Sequence, residues 1–258
     1  MEPPPPVTRT TVRVRVLGCP VDVVDMATAV HTLVEIVERH RSDATSHPAV
    51  VITLNPEMVM LARRSPAFSA VVDSATLVVP DGIGLVRAIR RRGHPDAERV
   101  GGADLINAYL PEATHLGHRI ALAGGAPGVA QAAGDRMTAD HPGLQIVAVS
   151  DGRPGKATAA ALEASKPDLV LAAFGGGRQE LFLDRYLGPI GAAAGIGVGG
   201  SLDYLAGRVR RAPAAVRRLG LEWAWRLAIQ PWRLRRQSVL PVYWWLERRE
   251  AAATGAGR

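Results

Sequence analysis

A single cysteine, Cys19, stands in 258 residues. Alone it closes no intrachain disulfide and builds no thiolate metal site, so the fold has no need of an oxidising compartment. Lysine is almost as scarce, with only Lys156 and Lys166, and no GxxxxGK[ST] loop exists. No uncharged apolar run reaches the roughly 18 residues that a spanning helix needs. The longest candidate, 187–202, is mostly Gly and Ala. The start, Met1-Glu2 and then Pro3 to Pro6, lacks the basic-then-apolar pattern of a signal peptide. These absences point to the cytoplasm. No Asp-x-Asp occurs, so the dicarboxylate that usually grips a metal beside a sugar nucleotide is missing. HExxH and G-x-S-x-G are missing as well, which leaves zinc chemistry and hydrolase triads without residues.

What is present is ordinary in bulk, 47% hydrophobic and 21% charged, as in a folded globular chain. The charge is uneven. Between 207 and 249 eleven arginines face only Glu222 and Glu247, so this segment carries +9 and the rest of the +7 chain carries −2. All five tryptophans, Trp223, Trp225, Trp232, Trp244 and Trp245, lie in the same segment. Such a tail suits nucleic-acid phosphates and bases, an anionic membrane surface, or a diphosphate gripped by guanidinium forks. A helix pair with core tryptophans and solvated arginines is the plainer alternative. No nucleic-acid module appears in the body, and Trp beside Arg favours the membrane surface over nucleic acid.

Along the chain, a Pro-rich leader (1–11) reads as disordered. Residues 12–17 alternate Val with Arg, as an edge strand does, and Asp25 is placed to cap a helix over 25–39. An apolar strand over 49–54 ends in Thr53-Leu54-Asn55-Pro56 and leads into a helix running through Val72. A short strand, 76–79, then stops at Pro80-Asp81-Gly82. From 119 on, strands (119–123, 144–149, 169–174, 195–198) alternate with amphipathic helices (129–139, 157–165, 179–186). That alternation predicts an α/β fold: a Rossmann-like, mainly parallel sheet with helices on both faces. The expected organisation is leader 1–11, α/β catalytic core 12–206, basic helical Trp/Arg-rich C-terminal appendage 207–249 and disordered tail 250–258.

Ligands of such sheets bind at the carboxyl ends of the strands. There stand Thr53, Asn55, Asp81, Gly124-Gly125, Gly175 to Gly177 and Gly199-Gly200. The turn Gly124-Gly125-Ala126-Pro127-Gly128 offers helix N-terminal amides to a phosphate, or merely close packing. It is not the dinucleotide fingerprint, because Ala126 and Val129 take the second and third glycine positions. Asp81, partly buried, would be a raised-pKa proton acceptor; the alternative is an Asx turn or helix cap. Thr53 and Asn55 suit sugar hydroxyls, or cap the next helix. In Gln179-Glu180 the amide can bond a ligand, while the glutamate can simply favour the helix dipole.

The ordered stretches Thr53-x-Asn55, Pro80-Asp81-Gly82-x-Gly84, Glu98-Arg99-Val100-x-Gly102-x-Asp104, Gly124-Gly125-x-Pro127-Gly128, Gln179-Glu180, Gly197-Val198-Gly199-Gly200-x-x-Asp203, Arg211-Ala212-Pro213, Gly220-Leu221-Glu222-Trp223 and Arg226 to Arg236 together resemble the WecG/TagA/CpsF glycosyltransferases from about Val12 to Arg236. The resemblance implies inverting transfer of an N-acetylmannosamine-type sugar, or a related hexose, from a UDP-sugar. The acceptor would be a polyprenyl-diphosphate-linked glycan of cell-surface polysaccharide synthesis, on the inner face of the membrane. Asp81 would be the base, with no metal and no cofactor beyond the UDP-sugar itself. Thr53, Asn55 and Gln179 would line the sugar, and Arg226, Arg233 and Arg236 would meet a diphosphate. Arg99, Gly124, Gly125, Gly199, Gly200 and Asp203 join them as substrate-binding positions. The implied partners are the donor, the acceptor and an anionic membrane surface, with no nucleic acid; a homo-oligomer is left open. Two other readings compete: a Rossmann-like NAD(P)-dependent oxidoreductase, which the glycine spacing disfavours, and a non-enzymatic membrane-binding adaptor, for which Asp81 would be dispensable.

Overall fold

The computed structural model describes residues 11–43, 45–210, 212–213, 216, 222–253 and 255. The leader before Thr11, Arg211 and the Gly220-Leu221 pair lie outside the described residues, as does most of the tail after Ala253. The chain enters through a hairpin of β1 (Arg13–Val16) and β2 (Cys19–Asp22), joined by Leu17 and Gly18, both at positive φ. The expected strand at 12–17 is therefore paired, but only with β2, in a two-stranded sheet of its own. The two-residue turn folds it back at once. Asp22 then fastens the hairpin to its neighbours: its carboxylate takes the Arg13 fork and accepts from Val78 N at 2.8 Å.

Next come α1 (Met26–Ser42), capped by Asp25 accepting from Thr28 N, and β3 (Ala49–Leu54). The helix expected after β3 is two, α2 (Pro56–Ala62) and α3 (Pro66–Ser74). Pro66 lacks an N–H to continue a helix, while it suits a first turn behind the Ser65 cap. After β4 (Leu77–Pro80) the structure adds α4 (Ile83–Arg91) and α5 (Gly102–Leu116), where no helix was expected. The regular half follows as β5 (Arg119–Gly124), α6 (Val129–Asp140), β6 (Gln145–Ser150), α7 (Lys156–Glu163), β7 (Leu169–Ala173), α8 (Arg178–Ile190), β8 (Ala194–Gly197) and α9 (Ser201–Leu205).

Strands β3 to β8 form one sheet in the order β4-β3-β8-β7-β5-β6, every neighbouring pair parallel. Both faces are covered, which is why the strands read as unbroken apolar runs. On β7, Leu169, Leu171 and Ala173 pack toward α1, α5, α6 and α9, while Val170 and Ala172 pack toward α7 and α8. The fold is α/β and Rossmann-like, as expected. Parallel pairing puts all six carboxyl ends along one edge. There β5 leads outward to β6 while β7 leads back to β8, and chains that part in this way open a crevice.

The C-terminal segment supplies α10 (Glu222–Ile229), a 3₁₀ turn (Pro231–Arg233), α11 (Leu234–Gln237) and α12 (Leu240–Ala253). The last helix continues past 250, into the stretch read as tail. It is part of the core: Tyr243 is buried among hairpin, α2, α3 and α4 side chains. Glu247, fully buried, pairs with Arg91 and Arg92 on and just after α4, and Glu250 pairs with Arg92 and accepts from Leu17 N.

Candidate active site

Asp81 follows β4 at the sheet's carboxyl edge, its amide still in the ladder to Leu54 O. It does not cap α4, because Gly82 takes that position without a side chain. Its carboxylate is free to turn into the crevice, where Oδ1 accepts from Arg99 Nη1 at 3.1 Å and Oδ2 from Gly102 N at 3.4 Å, the opening of α5. Burial pushes the Asp81 carboxyl above its ordinary value, against Arg99, Arg226 and the Gly102 amide, which pull it down, and with Glu222, which adds to the rise. The side chain still keeps 28% of its surface open. A half-hidden carboxylate whose proton affinity is raised, placed at a crevice, has the properties that general-base chemistry calls for.

Arg99 is not free for a ligand in this arrangement. Its guanidinium also meets Asp104 Oδ2 at 2.7 Å and Glu222 Oε2 at 3.4 Å, so three carboxylates converge on one cation. Asp104 and Glu222 stand in the stretches that carry the resemblance, but neither is read from the sequence as a site residue. A lone carboxylate carries no local signal, and only the Arg99 motif hinted at a partner.

Thr53 is buried on β3 and donates through Oγ1 to Gly197 O at 3.2 Å, tying β3 to β8 beneath the crevice. Asn55 caps α2 through Oδ1, accepting from Met58 N at 3.1 Å. Its Nδ2 makes no hydrogen bond among the described residues. Gln179 and Glu180 open α8 after the Gly175–177 turn, and both are buried. Glu180 accepts from Gly177 N and from Gln179 Nε2, each at 2.7 Å, and burial holds its carboxyl above the ordinary range. Gln179 Oε1 is buried with no partner among the described residues. β8 runs so close that a Cβ on Gly197 would stand 2.5 Å from Gln179 Nε2, so only glycine fits there.

The loop after β5 uses much of its own bonding capacity. Gly124 and Gly125 both hold positive φ; Gly125 N donates to Ala173 O at 2.9 Å, and Gly128 N to Asp151 Oδ2 at 2.8 Å. Gly199 and Gly200 turn β8 into α9, and here the appendage arrives. A Cβ on Gly200 would meet Arg233 Nη2 at 2.9 Å, with Arg226 Nη1 at 3.8 Å. Arg226 lies over the Tyr204 ring, 4.5 Å to its centroid, and its Nε is buried with no partner among the described residues. Burial, then the charges of Arg226 and Arg236, lower the Arg233 pKa. Asp203 is raised by burial, with Arg233, Arg226 and Arg208 opposing. Arg236 sits at the rim, paired with Glu57 of α2 at 2.6 Å. A cavity of about 390 Å³ adjoins on the other side of α9, between α5 and α6, and shares Tyr204.

The structure thus draws Asp81, Arg99 and Arg226 into one charged neighbourhood, with Gly200, Asp203 and Arg233 beside Arg226. Gln179, Gly197 and Gly199 line the adjoining stretch. Crowded cations, an N–H and an amide oxygen with no partner among the described residues are groups that could meet an anionic, hydroxyl-rich ligand. No helix among the described residues is long and apolar enough to cross a membrane. The appendage nevertheless leaves Trp223, Trp232, Leu234 and Trp245 exposed, Trp232 at 72%.

The model of the family described as "Glycosyl transferase WecG/TagA/CpsF family" matches residues 14–256. An N-acetylglucosaminyldiphosphoundecaprenol N-acetyl-beta-D-mannosaminyltransferase of Bacillus spizizenii (strain ATCC 23059 / NRRL B-14472 / W23) is 36% identical over 197 residues, 76% of this chain and 77% of that one. A protein of the same description from Bacillus subtilis (strain 168) is 33% identical over 214 residues, 82% of this chain and 83% of that one.

Proposed function

The chain belongs to the WecG/TagA/CpsF glycosyl transferases, and from that premise we propose that this glycosyltransferase moves an N-acetylmannosamine-type sugar, or a related hexose, from a UDP-sugar onto a polyprenyl-diphosphate-linked glycan. The observation that carries the reading is the pairing of a half-buried, raised carboxylate with crowded arginines: Asp81 on one side, Arg226 and Arg233 on the other. Transfer with inversion needs that division. The acceptor hydroxyl oxygen attacks the anomeric carbon as the bond to the diphosphate oxygen breaks. Asp81 takes the hydroxyl proton, and UDP leaves with the bonding pair, its charge met by Arg226 and Arg233, with Arg236 at the rim. The β linkage in the relatives' names supports inversion, since UDP-sugars of this class carry their nucleotide on the α face.

Guanidinium groups serve here in place of a metal. In support, three carboxylates of the site, Asp81, Asp104 and Glu222, converge on Arg99. Gln179 Oε1 and Asn55 Nδ2 offer one acceptor and one donor to sugar substituents, with Thr53, Gly124, Gly125, Gly199 and Gly200 shaping the backbone around them. The relatives' names place their acceptor on a lipid diphosphate. Exposed tryptophans among arginines, as where Arg249 lies 4.7 Å over Trp245, fit an anionic membrane surface that presents such a lipid. The protein would then work peripherally, on the cytoplasmic face.

The test is UDP release from UDP-N-acetylmannosamine in the presence of short-chain polyprenyl-diphosphate-N-acetylglucosamine, with and without EDTA. Acceptor-dependent release that survives EDTA is expected. Release abolished by EDTA removes the metal-free mechanism; release without transfer, or none with any UDP-sugar, removes the donor assignment.

A further inference from the structure

Arg99 Nη1 is shared. It stands 3.1 Å from Asp81 Oδ1 and 3.4 Å from Glu222 Oε2, while Nη2 is taken by Asp104 at 2.7 Å. Asp104 belongs to α5 and Gly102 opens the same helix, so these two partners are built into the core. Glu222 is different: it heads α10 and reaches the site only because the C-terminal segment folds back over it. Arg226, one turn further along α10, comes with it, its Nη2 3.7 Å from Glu222 Oε1.

We infer that Glu222 is a positioning residue of the transfer: by sharing Arg99 with Asp81 it keeps the base from being locked in an ion pair, so the docked C-terminal segment sets the strength of the base. The inference rests on Asp81 being that base. A guanidinium held by two carboxylates pulls less on each than one given wholly to Asp81. The groups that act on the Asp81 carboxylate are Arg99 from the loop before α5, Gly102 N from α5, and Glu222 and Arg226 from α10. Arg226 alone would weaken the base on docking. Glu222 arrives on the same helix face and opposes it.

The experiment uses the full chain and the UDP-N-acetylmannosamine assay above, following kcat/KM against pH for wild type, Glu222→Gln, Glu222→Asp and Asp81→Asn. With Glu222→Gln, Arg99 and Arg226 act without Glu222 against them, so the acidic limb moves to lower pH by roughly half to one unit and the plateau falls. Glu222→Asp keeps the charge and restores most of the limb. Because every tryptophan lies between 223 and 245, intrinsic fluorescence reports docking of the segment in the same samples. A moved limb with unchanged emission supports the inference. An unmoved limb overturns it, and so does a limb that moves only together with altered emission in both variants, which makes Glu222 a latch. If Asp81→Asn retains turnover, the base assignment itself fails and this inference falls with it; if Asp81→Asn is dead and the limb is unmoved, only the inference falls.

Discussion

Gln179 donates its Nε2 to Glu180 Oε1 at 2.7 Å, and that bond decides which end of the amide is left over. The carboxylate, itself held by Gly177 N, takes the donor end, so the buried Oε1 can only accept. A ligand seated there has to supply an N–H or O–H, since an unpaired buried acceptor costs roughly 1–3 kcal/mol. Gln179→Ala should therefore raise KM for the UDP-sugar by about tenfold or more while leaving the Kd of UDP alone unchanged. Calorimetry with UDP beside steady-state kinetics checks it; equal loss for both ligands would mean that Gln179 only packs α8.

Asp81→Asn should lower kcat by about 10²–10⁴ with UDP binding intact. The same change has a stability signature with a definite sign. The folded carboxyl sits above its ordinary value, so the native state holds the proton more tightly than the unfolded chain and loses stability as pH rises through that window. The neutral amide escapes this. Its melting temperature should exceed wild type at neutral pH and converge on it as pH falls to the ordinary aspartate range. Wild-type activity should fade over the same window, as the base becomes protonated. Equal melting at every pH would mean the surroundings do not disfavour the charge.

Glu247→Ala strips a fully buried carboxylate from between Arg91 and Arg92. Removing one partner of a buried pair costs about 3–5 kcal/mol, and a chain of this size shifts about 2–4 °C per kcal/mol. A melting temperature lower by about 10 °C is expected. Activity at low temperature should suffer as well, since α4, which begins two residues after Asp81, loses the helix that braces it. A change of under 2 °C would show that α12 is an accessory rather than a part of the core.

Trp232→Ser together with Trp245→Ser should weaken sedimentation with anionic vesicles while leaving turnover of a water-soluble, short-chain acceptor near wild type. Both rings are more than half exposed, so their loss leaves no cavity. Unchanged sedimentation would take these two rings out of membrane contact.

Strands, crossover helices and the Gly-rich turns were legible because their signals are local. Apolar runs of β3, β5 and β7, the Asp25 cap and the glycines that end the strands each act within a few residues. Helix α5 shows an apolar repeat too (Leu105, Ile106, Tyr109, Leu110, Ala113), yet its flanking Gly101-Gly102 and internal Pro111 obscured it. The break at Pro66 was equally local and was missed.

Parallel order was enough to predict from the sequence that Thr53, Asn55, Asp81, Gly175 and Gly200 would share one edge, since strands joined by crossovers all end on the same side. Only the tertiary structure decided what those residues face. It turned Glu222 onto Arg99, crowded Arg226 with Arg233 over Gly200, left Gln179 Oε1 without a partner among the described residues and sank Glu247 beside α4. These contacts join residues as much as 156 positions apart. A hydrophobic period records which face of an element is covered; it does not record which distant charge will meet which, because that follows from strand order and helix docking.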